Sequence, residues 1–451
     1  MSQSSTVLRR SGSVRAAAVF ATLVLSGAAA AQTPPATLKL VNGRWFDGQA
    51  FRAATMYVAG EFFVGTAPDQ IDAEIDLEGG WVIPPLAESH THTIVGNAAR
   101  NEEFLHLGIF YAKVQAAAIE GMREHRKAFS SWRDVDLIFA AGAFTAPDAH
   151  PEQIGHYFLE PDEIDGNWVH LVETPADVEA AWPSVLTSDT NFIKTFLLYS
   201  NEYEQRRVDD SITPRHRGMN PALLADIVER AHAAGLKVSC HVRTADDFHR
   251  ALLAGVDEIA HMPGFSMGPE EQSQFQTAWM LAEFDEPERF KISRDDARLA
   301  AERGVIVDTT IGYYTEPPED LLAQMPEAIV ALVRKSIDVR ADVARHNLAL
   351  LRKHGVTVAL GSDSGEGNVI QEATYIQWLG VLDRPTLLRM LCVTTPRTIF
   401  PNRKIGRLAD GYEASFLVLG SDPVADIVNV SDIRRSFKRG RELTFEDAAS
   451  D

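Results

Sequence analysis

Six residues of this 451-residue chain have types and spacings suited to a metal site: His90, His92, Lys194, His241, His261 and Asp363. His90-Thr91-His92 sets two imidazoles one residue apart, directly after the apolar run WVIPPL, Trp81–Leu86. A short run of that kind reads as a buried strand. Side chains alternate across a strand, so residues i and i+2 share a face. A strand continued to residue 92 would project both imidazoles the same way, a geometry that a divalent cation can use. Two surface histidines in a loop are the competing reading. With 14 histidines in the chain, the pair alone does not decide between them.

The elements that must position these residues are legible as an alternation. Strand-like runs occupy Trp81–Leu86, Leu107–Val114, Val135–Gly142, Asn191–Leu198, Leu236–His241, Val256–His261, Gly304–Thr310 and Gly355–Gly361, with helical segments between several of them. Asn220-Pro221 starts one helix and Gly235 ends it; Gly255 ends the next. Eight strands alternating with helices predict an α/β fold, a (β/α)8 TIM barrel, with a doubly wound open sheet as the competitor. Both ends of the chain differ from this middle. Residues 32–80 and 400–445 hold short strands between Asn-Gly, Asp-Gly and similar turns, and predict a small β-sandwich built from both terminal segments. The barrel is expected over 81–399. Gly264–Ser293 and Tyr313–Ser336 are long for plain connections and are expected to cover the barrel mouth.

In a barrel the site gathers at the C-terminal strand ends. His90 and His92 follow the first predicted strand, Lys194 lies in the fourth, His241 and His261 end the fifth and sixth, and Asp363 follows the eighth. Each has an ordinary reading by itself: a satisfied core histidine, a paired lysine, a helix-capping aspartate. All of these holding together is improbable. A lysine inside a strand near the barrel centre is costly as an ammonium. With its pKa depressed it can add CO2, giving a carbamate that bridges two divalent ions. Histidine and carboxylate-type ligands without cysteine suit zinc, with manganese, cobalt or iron as alternatives.

This ordered set resembles the binuclear, carboxylated-lysine branch of the amidohydrolase superfamily, and among its branches the imidazolonepropionase-like and Xaa-Pro dipeptidase-like members. The C-terminal GRLADGYEASFLVLGSDPVADI is similar to the superfamily's C-terminal run. The resemblance implies that His90, His92 and Asp363 hold one metal, His241 and His261 the other, and carbamylated Lys194 bridges them. It implies a bridging hydroxide that attacks a polarised carbonyl, with Asp363 shuttling the proton to the leaving group. There are departures: Glu88 stands where the superfamily often has Asp, GIFYAKV (Gly108–Val114) differs from the dipeptidase branch, and Ala414-Ser415 stands for Ala-Asp.

Substrate groups are expected around this centre. His150, in FTAPDAHPE after the third strand, is the candidate for carbonyl or oxyanion contact, ahead of the nearby His156. Tyr199 and Tyr203 would donate to a tetrahedral intermediate, and Arg243 would clamp a substrate carboxylate. The function expected is cleavage of a C–N amide bond in a dipeptide or N-acyl amino acid. Lactone, ester or phosphotriester hydrolysis is the first alternative, since the same nucleophile serves each. A non-hydrolytic decarboxylase or isomerase, and a non-catalytic metal-containing binding protein, come behind it.

The net charge of −20 argues against nucleic acid as a partner and for a soluble, acidic protein; a small-molecule substrate is expected from the site. A homo-oligomer is compatible with the sequence. Residues 1–31 read as a removable signal, with Arg9, Arg10 and Arg15 before the apolar Ala16–Leu25 and small residues to Ala31. Export to the periplasm or medium follows, by the general or the twin-arginine route. The apolar run is too short for a membrane span. Cys240 and Cys392 read as small buried hydrophobes.

Overall fold

The computed structural model describes residues 36–264, 284–312 and 322–445. The expected signal at 1–31 lies outside them, as does most of the first long connection and the start of the second. Among the described residues no helix is long and apolar enough to cross a membrane.

Both terminal segments contribute to one eight-stranded sheet. It joins Leu38–Phe46, Phe51–Ala59, Phe62–Val64, Ala73–Asp76 and Trp81–Ile83 to Phe416–Leu419, Ile433–Lys438 and Arg441–Leu443. The join is the antiparallel pairing of Val82 with Val418, flanked by Ile83 with Leu417 and Trp81 with Leu419. A separate apolar core forms on this sheet around Trp45, Phe63, Phe416 and Phe437. Phe416 and Phe437 stack with centroids 4.4 Å apart.

The middle of the chain is α/β, with every strand pair parallel. Three strands, Leu86–Thr91, Ile109–Ala117 and Asp136–Ala141, form one sheet. A second sheet runs in the order Val169–Leu171, Ala143–Thr145, Ile193–Phe196, Val238–His241, Glu258–Ala260, Ile306–Asp308 and Thr357–Ala359. Gly142, at φ +69°, alone separates the last strand of the first sheet from Ala143–Thr145 of the second. At the other side, Ser89 N donates to Leu360 O at 3.0 Å and Asp363 N to His90 O at 2.9 Å.

Helices fill the connections for readable reasons. Thr244 caps Ala245–Ala254 through a reciprocal bond with Asp247, and Gly255 closes it at φ +87°, a value glycine adopts without a Cβ penalty. Asn220 caps as expected, onto Ala222 N, but a 3₁₀ turn at Pro221–Leu223 precedes the α-helix Leu224–Ala233. Both cysteines are buried and free.

Two expectations need correction. Trp81–Leu86 is not one strand leading to His90. Trp81–Ile83 belongs to the terminal sheet, and a new strand begins at Leu86. Pro84 and Pro85 have no N–H to donate, so the ladder stops there. The second difference is Val169–Leu171, an added strand beside Ala143–Thr145 that the alternation pattern does not indicate.

A half-buried ionic cluster, built around the fully buried Lys438, fastens the terminal sheet to the parallel strands. Asp136 accepts from Arg403 at 2.8 Å, Arg439 at 2.9 Å and Lys438 at 3.1 Å. Glu413 accepts from Arg403 at 2.7 Å and from Tyr111 OH at 3.1 Å. Burial alone would push the Asp136 carboxyl up, but Lys438, Arg403 and Arg439 hold it below its ordinary value. Its stabilising contribution is therefore complete above the unfolded carboxylate pKa and is lost as pH falls through the lower folded value. Asp136→Ala leaves Lys438 buried without its carboxylate. It is expected to cost about 3–5 kcal/mol in a denaturant titration at neutral pH. A cost under about 1 kcal/mol would mean that the cluster does not hold the two sheets together.

Candidate functional site

The strand ends converge on Asp363. His90 Nε2 lies 3.5 Å and His92 Nε2 3.3 Å from Asp363 Oδ1, and His261 Nδ1 lies 3.8 Å from Oδ2. Among the described residues, His90, His92 and Asp363 hold donor atoms within 4.8 Å of one another. The His261 ring sits 4.5 Å from that of His90 and 4.3 Å from that of His241. His241 is followed by His150, at 5.1 Å. All of these, with Lys194 and Arg243, line a cavity of about 1120 Å³.

The strand geometry explains the paired histidines. His90 is the fifth residue of Leu86–Thr91 and is buried, while His92 lies just beyond the strand and is exposed to the cavity. Each ring is fixed by its other nitrogen. A carbonyl only accepts, so His92 Nδ1 carries the proton that it donates to Ala116 O at 3.2 Å. His90 Nδ1 donates to Asp308 Oδ2 at 3.2 Å. Both Nε2 atoms are thereby left as acceptors facing Asp363. His261 Nδ1 meets Thr310 Oγ1 at 2.7 Å.

Burial keeps the imidazoles of His90, His150, His241 and His261 well below their ordinary pKa, hence neutral. The Asp363 carboxylate is the group on which the rings of His90, His92 and His261 converge. Neutral imidazoles beside an ionised carboxylate, without a thiol, are a donor set that fits zinc or another divalent ion. Lys194, on Ile193–Phe196, is 1% exposed. Burial lowers its ammonium to about 8, against the attraction of Asp363, Glu258 and Asp308.

Several contributors behind the ligands do not stand out in the sequence. Asp308 ends the strand Ile306–Asp308, bonds His90 and accepts closely from Ser89 Oγ. It falls inside the predicted strand Gly304–Thr310 rather than at its end, so the strand-end rule that marks His261 passes over it. Burial raises its carboxyl to about 7. Glu88 accepts from Ser362 N and Oγ, each at 2.8 Å, and from His90 N at 3.1 Å. It thus ties the His90 strand to the Asp363 turn, and burial raises it to about 8. Gly361 is required between them: a Cβ there would lie 2.7 Å from His90 Cβ and 2.8 Å from Asp308 Oδ1.

The substrate residues divide. His150 and Arg243 line the cavity, whereas Tyr199, Tyr203 and His156 are not among its lining. Tyr199 is buried, and its hydroxyl accepts from Arg243 Nε at 3.1 Å. Its placement is that of a support for Arg243. Tyr203 is half-buried at the start of the short helix Tyr203–Arg206. Asp247 accepts from the backbone N–H groups of Tyr199, Ser200, Arg243 and Thr244 at 2.7–3.2 Å, fixing Arg243 against the Tyr199 turn. Arg215, His216 and Arg340 also line the cavity, beside apolar Ile154, Phe158, Trp168 and Met262.

Asp308→Ala would remove the partner of His90 Nδ1. Zinc affinity, measured by competition with a chromogenic chelator, is expected to fall about 10–100-fold. An unchanged affinity would show that His90 needs no such support.

A sequence profile of the amidohydrolase family matches residues 185–443. A search of curated proteins finds no match. Solved structures share the fold at low identity. An amidohydrolase has 18% identity and a TM-score of 0.64, covering 91% of this chain and 99% of its own. A prolidase complexed with N-methylphosphonate-L-proline has 19% identity and a TM-score of 0.65, covering 91% of this chain and 100% of its own. Ochratoxinase of A. niger has 16% identity and a TM-score of 0.65, covering 91% and 96%. With more than half of the chain matched by the profile and the strand-end residues gathered in one cavity, the chain belongs to the amidohydrolase family of metal-dependent hydrolases acting on carbon–nitrogen bonds.

Proposed function

We propose that this chain cleaves the C–N amide bond of a dipeptide or N-acyl amino acid. The site is the His90, His92, Lys194, His241, His261 and Asp363 centre of a closed (β/α)8 barrel. The observation that carries the proposal is the convergence of the His90 and His92 Nε2 atoms on Asp363, with His241, His261 and Lys194 lining the same cavity. Barrel closure is supported by the single-residue junction at Gly142 and by the Ser89–Leu360 and Asp363–His90 backbone bonds. The aromatic core of the terminal sheet supports a small accessory sandwich.

His90, His92 and Asp363 would hold one divalent ion and His241 and His261 a second, with Lys194, as a carbamate, between them. The ions, zinc in this reading, supply Lewis acidity and an acidified water when bound. The chain's own groups do the rest. Asp363 accepts a proton from the attacking water at a carboxylate oxygen and returns it to the leaving nitrogen. His150, on the cavity wall, faces the developing oxyanion, and Arg243, held by Tyr199 and Asp247, pairs with the substrate carboxylate. The prolidase neighbour, solved with N-methylphosphonate-L-proline, supports the dipeptide reading. Export of the mature enzyme is part of the proposal and rests on the pattern of Arg9, Arg10, Arg15 and Ala16–Leu25.

The test is metal stoichiometry with turnover on a panel of dipeptides, N-acyl amino acids, lactones, esters and phosphotriesters. About two divalent ions per chain are expected, falling in Lys194→Ala together with amide turnover. Asp363→Asn is expected to lower kcat about 10²–10⁴-fold. Arg243→Met is expected to raise KM for carboxylate substrates while kcat is retained. One ion, indifferent to Lys194→Ala, would overturn the bridged centre. Turnover of lactones or phosphotriesters alone would replace the amide assignment, and two ions with no turnover on any substrate would favour a binding protein.

A further inference from the structure

Beneath Lys194 lies a set of buried polar side chains for which hydrolysis has no direct use. Lys113 Nζ lies 2.6 Å from both Oε1 and Oε2 of Glu258. Glu258 Oε1 also accepts from Gln115 Nε2 at 2.8 Å. Gln115 Nε2 donates further to Ser89 O, at 3.3 Å. On its other side, Gln115 Oε1 accepts from Lys194 Nζ at 3.3 Å and faces Ser239 Oγ at 3.0 Å. Ser239 Oγ is also 3.0 Å from Glu258 Oε1, so its single proton goes to one oxygen or the other. Lys113, Gln115, Lys194, Ser239 and Glu258 are all buried.

This arrangement fixes which way the Gln115 amide faces. Glu258, paired through both oxygens with Lys113, and the Ser89 carbonyl are acceptors only. Each requires a donor, so the Gln115 amide nitrogen must turn toward them. The amide oxygen is then directed at Lys194. Reversing the amide would set its oxygen against two buried acceptors, an arrangement penalised by the loss of two bonds and by repulsion.

We propose that Gln115, oriented by the Lys113–Glu258 pair, is a positioning residue for Lys194 that holds its Nζ for carboxylation and then sets the plane of the carbamate. This rests on the reading of Lys194 as a bridging carbamate. In that reaction the lone pair of the uncharged amine forms an N–C bond to CO2, one C=O π pair moves onto oxygen, and one N–H proton leaves to water. One N–H stays on the nitrogen. Gln115 Oε1 is placed to accept it before and after. Carbamate nitrogen is planar by resonance, as in a peptide. Fixing its N–H direction therefore fixes the plane in which both new oxygens lie, and turns them away from Gln115.

The experiment reconstitutes metal-free enzyme with zinc chloride over a bicarbonate series, reading bound zinc by elemental analysis and the CO2 adduct by native mass spectrometry. Gln115→Leu removes the acceptor at similar volume. It is expected to need about 10–100-fold more bicarbonate for half-maximal zinc uptake, with the adduct lost at ambient CO2. Gln115→Met, which keeps the unbranched length, is read in its place should the leucine variant fail to fold by circular dichroism. A second arm uses Lys194→Ala with acetate as a substitute carboxylate. There Gln115→Leu is expected to change zinc uptake little, because the group it positions is gone. A wild-type bicarbonate requirement in the Gln115 variants, with Lys194→Ala still losing zinc, would overturn this inference and leave the carbamate reading standing. An equal loss in the acetate-supplied background would overturn it by showing a general packing effect. Full zinc retention by Lys194→Ala at every bicarbonate level would overturn the carbamate reading, and the inference with it.

Discussion

Burying charge between parallel strands is the constraint on which the rest of this molecule depends. Lys113, Lys194, Glu258 and Asp308 lie within the strands beneath the site and are buried. An ionised group that leaves water costs several kcal/mol unless it is paired and hydrogen-bonded. The compensation is built by register. Lys194 is directly opposite Ser239, and Ser239 is opposite Glu258, so three adjacent strands present one polar row. Lys113 and Gln115 are two apart on Ile109–Ala117 and so share a face. Both meet Glu258. A one-residue slip in any of these strands would turn its polar group to the opposite face and leave its partners unpaired. The ionic row thus specifies the same register that brings His241 and His261 to adjacent strand ends.

Above that row the backbone is strained, and hydrogen bonds hold the strain. Tyr199, His261, Thr310 and Asp363, each at or just beyond a strand end, have φ of +50°, +78°, +50° and +49°. Non-glycine residues in this region cost about 1–3 kcal/mol each and persist where surroundings over-determine them. Thr310, being β-branched, is the least suited of the four. Its side chain bonds His261, and its N–H bonds Gly361 O at 3.1 Å. Just beyond it, Glu372 accepts from the N–H groups of Ile311 and Gly312. Asp363 is held through its own N–H to His90 O and by the Glu88–Ser362 bonds before it. From these positions His261, Thr310 and Asp363 line the cavity, while Tyr199 supports Arg243.

How much of this was legible follows from the range of the interactions. The alternation of elements, the cap at Asn220 and the glycine stops at Gly235 and Gly255 are local, and local chemistry is written in short segments. The ligand candidates were legible because a polar residue ending an apolar strand is conspicuous where it stands. The partners of those ligands were not. Asp308 is 218 residues from His90, and Glu258 is 145 from Lys113. Nothing near Lys113 in GIFYAKVQ announces a carboxylate to receive it. The break at Pro84-Pro85 was legible in principle, since consecutive prolines cannot continue a ladder; reading through them set the first strand in the wrong sheet. Tyr199 shows the opposite limit. Its position after a strand suggested a substrate donor, but only the fold shows the ring buried and its hydroxyl on Arg243.

The departures from the superfamily pattern acquire a physical sense at this point. Glu88 is one methylene longer than the aspartate often found there, and from its strand it spans to Ser362 N and Oγ while also bonding His90 N. The unusual strand Ile109–Ala117 carries Lys113 and Gln115, the two residues through which the interior row reaches Lys194. Both departures lie behind the candidate ligands rather than among them. They change how the candidate side chains are held, not which of them face the cavity. That is the pattern expected when the reacting atoms are fixed by chemistry and only their support is free to be rebuilt.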